Sequence, residues 1–243
     1  MPWPRTPRVS LRLLACGVAV IAMCAAGAVA RATAQQSAAQ LRSTALADAD
    51  ERGSVREVES ERTRSLVATF TEDLATHDGR QNITRSGGEQ AHVLIVGDTA
   101  YVAGNRAALI HYFGFPAAVA SKIGARWVSI PSSSSAYSTV AGDATLPSAM
   151  TALAIAGKLT ETAPTTINGQ AVIGVRTKAS IPGTSPATLA ATLYISRASE
   201  PLPVRASYTS SKGGSATITL SNWGEKIAFT APTNAIPLSQ LEK

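Results

Sequence analysis

Three histidines and two cysteines are the residues of this chain best suited to metal or nucleophilic chemistry. His77 lies in a turn-like stretch with Asp78 and Gly79, His92 opens an apolar run, and His111 falls in a helical pattern. No two of them share the spacing that puts two imidazoles on one metal. Cys16 and Cys24 sit inside an uncharged N-terminal run, so the rest of the chain has no thiol for a disulfide, a metal or a nucleophile. No metal ion and no cofactor is expected. The serines lack a nucleophile elbow and the partner motifs of acyl-transfer enzymes. Ser132, Ser133, Ser134 and Ser135 read as a turn and helix cap, because hydroxyls satisfy free backbone N–H groups. The acids gather at 48–61 and 72–78, on stretches that read as exposed, and Glu161, Glu200 and Glu225 lie near strand ends. Nothing in that pattern favours a carboxylate pair for glycoside hydrolysis. Gly97 and Asp98 join two strands, so they do not form a phosphate loop opening a helix. No catalytic residue is assigned, and the chain reads as a non-enzyme.

What remains is apolar. Leu109, Ile110, Tyr112, Phe113 and Phe115 make a dense patch in a chain that is only 5% aromatic. Trp127, Met150, Leu153 and Ile155 lie downstream of it. These residues are the candidates for lining an apolar ligand cavity. A filled core between helix and sheet would use the same residue types, so both readings stand.

The elements that would position this patch are mostly strands. Residues 54–61, 66–70 and 79–85 read as short strands, with Val55 and Val58 giving the first a slip of register. Residues 91–96 and 99–103 read as a hairpin across Gly97-Asp98. Asn105 is placed to cap a helix over 106–113, and Pro116 opens a second that runs to Gly124. Residues 126–130 return to strand, a short helix follows the serines, and 146–155 is apolar on most sides. Six more strands are expected at 158–166, 170–178, 188–197, 204–210, 216–222 and 227–230. Asn168-Gly169, Ile181-Pro182-Gly183 and Gly213-Gly214 supply turns between them. There is no room for helical crossovers, so the pairing should be antiparallel. The expectation is an α+β fold: a large curved antiparallel sheet of about 10–11 strands. Twist bends such a sheet into a half-open β-barrel, capped on its concave side by the short helices of 105–155.

The N-terminus carries an address. Arg5, Arg8 and Arg12 precede residues 13–30, 18 positions without a charge, and Ala32-Thr33-Ala34 fits a cleavage pattern. The apolar run is about 27 Å long as a helix, so it reads either as a signal peptide or as a retained anchor helix. Either way the bulk of the chain is exported, to the outer face of the cytoplasmic membrane, the cell envelope or the exterior. Cys24 is the candidate for lipidation; Met23 before it is large for a lipobox. The net charge of +6 owes much to this segment, since residues 1–34 hold four arginines and no acid. The charge therefore gives no reason to expect a nucleic-acid partner. The domain reading is 1–34 signal or anchor, 35–52 a helix or tether, 53–238 one domain and 239–243 a tail. A monomer is expected.

Residues 96–137 and the C-terminal part carry a family resemblance. A Gly-Asp turn, Tyr101, Gly104-Asn105, a short helix and a strand with Trp127, Val128, Ile130 and Pro131 follow one another. Leu193-Tyr194-Ile195, Pro201-Leu202-Pro203-Val204-Arg205, Ser221-Asn222-Trp223-Gly224 and Ala231-Pro232 agree in order and spacing. This resembles the LppX/LprG-type mycobacterial lipoproteins and, more remotely, the LolA/LolB carriers. The resemblance implies a half-open antiparallel barrel whose cavity holds acyl chains or glycolipids on dispersed apolar side chains. Two functions follow as expectations. The first is a non-enzymatic envelope protein that binds or carries a lipid, glycolipid or acyl chain between sheet and helices, and meets the membrane through its N-terminal segment. The alternative is a structural or interaction module of the envelope with a filled core.

Overall fold

A computed structural model describes residues 37–180 and 188–241. The signal or anchor segment, Cys24 and the turn at Ile181-Pro182-Gly183 lie outside the described residues.

The first described element is α1 (Ala38–Glu51), an alanine-rich helix started by a capping box: Gln40 N–H donates to Ser37 Oγ and the Gln40 side chain accepts from Ser37 N–H. Its apolar face, Ala45 and Ala49 with Leu41 and Leu46, packs onto the body. The chain then builds strands β1 (Ser54–Arg62), β2 (Val67–Ala75), β3 (Gly79–Arg85), β4 (Glu89–Val96) and β5 (Thr99–Gly104) as successive hairpins. Four short helices and one strand follow: α2 (Arg106–His111), α3 (Ala117–Ile123), β6 (Val128–Pro131), α4 (Tyr137–Ala141) and α5 (Leu146–Leu153). Asn105 caps α2 by accepting the Ala108 N–H at 2.9 Å, as its type and position predict. The remaining strands are β7 (Thr160–Glu161), β8 (Thr165–Ile167), β9 (Gln170–Ser180), β10 (Thr188–Ser196), β11 (Pro203–Ser210), β12 (Ser215–Ser221) and β13 (Ile236–Pro237). A 3-10 turn at Leu238–Gln240 follows.

The thirteen strands among the described residues, more than the 10–11 expected, belong to one sheet, ordered β13-β6-β5-β4-β3-β2-β1-β12-β11-β10-β9-β7, with β8 on β9. The sheet is open, and β1 against β12 joins its two halves. Pairing is antiparallel except between β13 and β6, where the C-terminus returns parallel to an edge. Asn168 and Gly169, with φ of 50° and 79°, turn β8 into β9. That is the left-handed geometry two-residue hairpins need.

Three expectations change. The strand expected over 158–166 is two fragments, β7 and β8, separated by Thr162, Ala163 and Pro164; proline lacks the N–H that an unbroken ladder would use. The segment 227–230 has no regular secondary structure and pairs with no strand among the described residues. It lies instead along the sheet face away from the helices, lining shallow grooves with Arg56, Asp73 and Arg80 at one place and with His92 and Trp127 at another. The third change concerns β1. No slip of register occurs: Val55, Glu57, Glu59 and Glu61 all point inward, and Val58 points out at 38% exposure. β2 likewise runs on past Phe70 to Ala75, with Glu72 inward.

The helices lie on one face, which they share with two apolar clusters. One joins β2–β6 to α2, α3 and α4, through Phe70, Ile83, Val93, Val102, Leu109 and Phe113. The other joins β9–β12 to α1 and α5, through Leu153, Val175, Leu193, Ile195 and Ile218. A leucine or isoleucine fully buried in such a cluster contributes about 1.5–3 kcal/mol. Two close approaches fix the roof. Tyr208 donates from its hydroxyl to the Ala152 carbonyl at 2.7 Å, tying α5 to β11. Gly79 of β3 sits under the Ala144 carbonyl so closely that a Cβ there would lie 1.7 Å from the oxygen.

Candidate functional site

The helix-covered face is the candidate site, and strand register gives its map. Across the centre, Val128, Val102, Val93, Gln81, Glu72, Glu57 and Leu220 stand opposite one another on neighbouring strands. The next row reads Ala91, Ile83, Phe70, Glu59, Ile218, Ala206, Leu193 and Val175. A third passes through Ala68, Glu61, Ala216 and Tyr208. Each row is oily at both ends and acidic in the middle. Period-2 alternation puts Glu57, Glu59 and Glu61 on one face, and the β1–β2 register puts Glu72 beside Glu57.

These polar residues are buried. Glu57 and Glu72 are 0% exposed and Gln81 is 2% exposed. Gln81 Nε2 donates to Glu72 Oε1 at 2.8 Å. Carboxylate oxygens of Glu57, Glu59 and Glu72 all lie within 4.8 Å of one another. The reading of 48–61 and 72–78 as exposed therefore fails on the inner positions of β1 and β2; only alternate residues there, such as Arg56 and Val58, face solvent. The missed signal was the spacing itself. Acids at alternate positions inside a strand must share a face, and here the other face holds Arg56, Val58, Ser60 and Arg62.

The apolar candidates divide between the two clusters. Leu109, Phe113 and Phe115 are buried in the first, with Ile110 and Tyr112 packed against it. Leu153 and Ile155 are buried in the second, with Met150 packed against it. Tyr112 meets Phe113 edge-on at 5.0 Å, and Arg85 lies 5.5 Å from the Tyr112 ring centre. Arg85 and His111 both pair with Glu89, the latter at 3.1 Å, so this rim of the first cluster is charged. Trp127 departs from the set. It precedes the inward Val128, so alternation sends it to the opposite face. There it stands 6.3 Å from His92 and lines a groove of about 400 Å³ with Arg80, Asn82, Leu94 and Phe229. A neighbouring groove of about 630 Å³, under the C-terminal return, is lined by Tyr101, Ser129, Ser134 and Pro237.

The chemistry of the three histidines is accounted for by their separate contacts. His77 is exposed in the β2–β3 turn. Asp78 beside it accepts the Gly97 N–H at 2.8 Å, tying that turn to the β4–β5 turn. The His92 Nδ1 is 2.8 Å from Asn82 Oδ1 on the outer face. His111 meets Glu89. Ser134 Oγ accepts the Ala136 N–H in the turn ahead of α4, but the N-cap of α4 is Ala136, so the serines form the expected turn without capping the helix. Tyr137 opens α4 against the first cluster; burial, then the charges of Asp98 and Asp78, holds its hydroxyl above the ordinary phenol range.

No family model matches the sequence, and no curated protein matches it. Solved structures do. LprF from Mycobacterium bovis is 17% identical, with a TM-score of 0.51 over 81% of this chain and 97% of that one. The Mycobacterium tuberculosis lipoprotein LppX is 14% identical, with a TM-score of 0.52 over 79% of this chain and 98% of that one. The chain has the fold of these mycobacterial proteins, the fold that the residues of 96–137 and the C-terminal strands resemble.

Proposed function

We propose that this chain is an exported, non-enzymatic carrier of a lipophilic molecule, held between the inner face of the sheet and its helices. The observation that carries the reading is the pairing of that fold with two separate apolar clusters under separate helices on one sheet face. The sheet is open and uncurled, not the expected half-barrel, and the helices α1 to α5 pack over its inner face, so the guest would lie between them and the strands. Acyl chains buried there gain about 0.8 kcal/mol per methylene, so ten methylenes outweigh much of the ordinary cost of association. Ile110, Tyr112 and Met150, packed at the cluster margins and only half-buried, are the side chains with room to turn toward a guest. The N-terminal segment delivers the protein to the outer face of the membrane, and Cys24 is the lipid attachment point if the segment is cut there.

The test is extraction. The secreted domain is purified without detergent, extracted with organic solvent and analysed by mass spectrometry beside a control protein. Enrichment of acyl lipid, with a rise in Tm when that lipid is added back, supports the carrier. Solvent extracts equal to the control, with no lipid shifting Tm, overturn it.

A second reading has its own support. Leu109 and Leu153 are both 0% exposed, as in a core that is already full. The protein is then an envelope interaction module, and crosslinking in intact cells captures one protein partner with no lipid.

A further inference from the structure

Surface charge on this molecule is divided by end. Antiparallel hairpins send alternate turns to the same end of a sheet. The β1–β2, β3–β4 and β11–β12 turns and the start of α2 share one end, because Arg62 stands opposite both Val67 and Ser215, Arg85 opposite Glu89, and Gly104 opposite Ala91. Arg62, Arg64, Arg106, Lys122, Arg126 and Lys212 are all exposed there. They come from separate elements, yet contacts draw them together. A Cβ on Gly213 would meet Arg64 Nε at 3.5 Å, and Arg106 Nε stands 3.5 Å from Ser121 Oγ, one residue before Lys122. Among the described residues, the acids at this end are Glu61, which is buried on the inner face, and Glu89, which pairs with Arg85 and His111. The opposite end is acidic. Asp50 and Glu51 close α1, Asp78 and Asp98 lie in the β2–β3 and β4–β5 turns, and Glu200 precedes β11 and pairs with Arg52.

A second observation concerns where the chain enters. α1 leads into β1 at the acidic end and packs against α5. Its first turns therefore lie at the basic end, where Arg42 donates to the Ile155 carbonyl and Thr177 to the Ala156 carbonyl at 2.9 Å. In the sequence, the uncharged run 13–30 stops shortly before Ser37. The chain between them reaches at most about 25 Å.

We propose that the basic end is a docking surface for an anionic phospholipid bilayer, on which the body stands with its acidic end away. A Lys or Arg near such a surface contributes about 1 kcal/mol, and the attraction fades within a Debye length of about 8–10 Å. Only bases gathered at one end act together over that range, and acids at the other end fix the orientation. Arginine supplies most of the charge, and its planar fork matches a phosphate. The path of the N-terminal segment selects a membrane over a soluble acidic polymer, because an apolar run tethered to this end brings these bases within reach of headgroups. The inference uses the membrane-directed reading of 13–30 and stands apart from the carrier reading, since docking needs no cargo.

The experiment uses the full chain, reconstituted into vesicles of phosphatidylcholine alone or mixed with phosphatidylglycerol. A membrane-impermeant amine reagent is added, and modified lysines are quantified by peptide mass spectrometry. Lys122 and Lys212 should react about tenfold more slowly on the anionic vesicles than on the neutral ones. Lys226, exposed on the segment after β12, should react equally on both. Sodium chloride at about 1 M, where the Debye length is about 3 Å, should erase the difference. Arg62→Glu combined with Arg64→Glu should return Lys122, which lies on another element, to its neutral-vesicle rate with Tm unchanged. Arg62→Lys combined with Arg64→Lys should keep the protection. Equal rates on both vesicles overturn the proposal, as does protection of Lys226 as strong as that of Lys122. Loss of protection in the lysine variant as well as the glutamate one also overturns it, because charge is then not the cause. So does equal protection on neutral vesicles by soluble heparin, which assigns this end to an acidic polymer instead.

Discussion

The two ends of the inner face and its centre are built on opposite principles. At the ends, Leu109 and Phe113 on one side and Leu153 and Leu193 on the other pack into ordinary hydrocarbon clusters that recruit helices. At the centre, the same pleat carries Glu57, Glu59, Glu61 and Glu72. Both regions obey the same period of two, so the backbone does not distinguish them. Only side-chain chemistry does. The comparison teaches that this sheet was not selected for stability across its whole inner face: apolar residues at the central positions would have fused the two clusters into one core. Costly polar groups retained in a costly place point to a task, and they divide the interior into two oily compartments with a polar seam between them.

The largest expected effects test the ends. Leu109→Ala and Leu153→Ala each remove a fully buried leucine and should cost about 2–5 kcal/mol in urea unfolding. A cost below about 1 kcal/mol at either site would mean that its cluster is loose enough to collapse around the loss. The centre should respond with the opposite sign. Glu59 stands opposite Phe70 and Ile218, so Glu59→Leu continues an oily row. At neutral pH it should raise stability by about 1–4 kcal/mol, since it removes one of three buried carboxylates held within 4.8 Å of one another. Loss of stability there would show that the acids are a structural necessity, and the contrast between the regions would dissolve.

Smaller effects sharpen the picture at the margins. Ser37→Ala breaks the capping box of α1 and should cost about 1 kcal/mol, since α1 is packed on the second cluster and fraying at its start reaches that cluster. Its effect on the first cluster should be nil, which hydrogen exchange in β4 and β5 would check. Tyr137 gives the smallest effect. Its hydroxyl is held above the ordinary phenol range by burial and by Asp98 and Asp78. The folded state therefore favours the neutral phenol, and the associated stability is complete below pH 10 and lost as pH rises through the folded value. Tyr137→Phe should flatten that alkaline decline, visible in Tm recorded between about pH 9 and 11.

Much of the architecture is local and so was legible in the residues. Asn168-Gly169 and Gly97-Asp98 announce their turns because positive φ is cheap there. Asn105 announces α2 because an Asn side chain can stand in for the missing helical acceptor. What failed is what depends on distant partners. Residues 227–230 have strand-forming types, yet a strand exists only where a ladder is free to take it, and the chain lies across the outer face instead. The parallel β13 is two residues long and is made by the edge of β6, which lies about a hundred residues earlier in the chain. The site divided in the same way. Leu109 and Leu153 were identifiable as interior, but their separation into two clusters is a fact of strand order. Glu57, Glu59 and Glu61 were misread because charge outweighed period: acids are expected outside, and here alternation places them inside.

The central claim is that the helix-covered face receives an acyl guest. Its most direct test is a photoactivatable diacyl lipid, bound to the purified protein, irradiated and mapped by peptide mass spectrometry. Labels on peptides spanning 106–115 and 146–155, sparing those with His92 and Phe229 on the outer face, are the predicted result. Labelling confined to the outer groove, or spread evenly over the surface, would contradict the account.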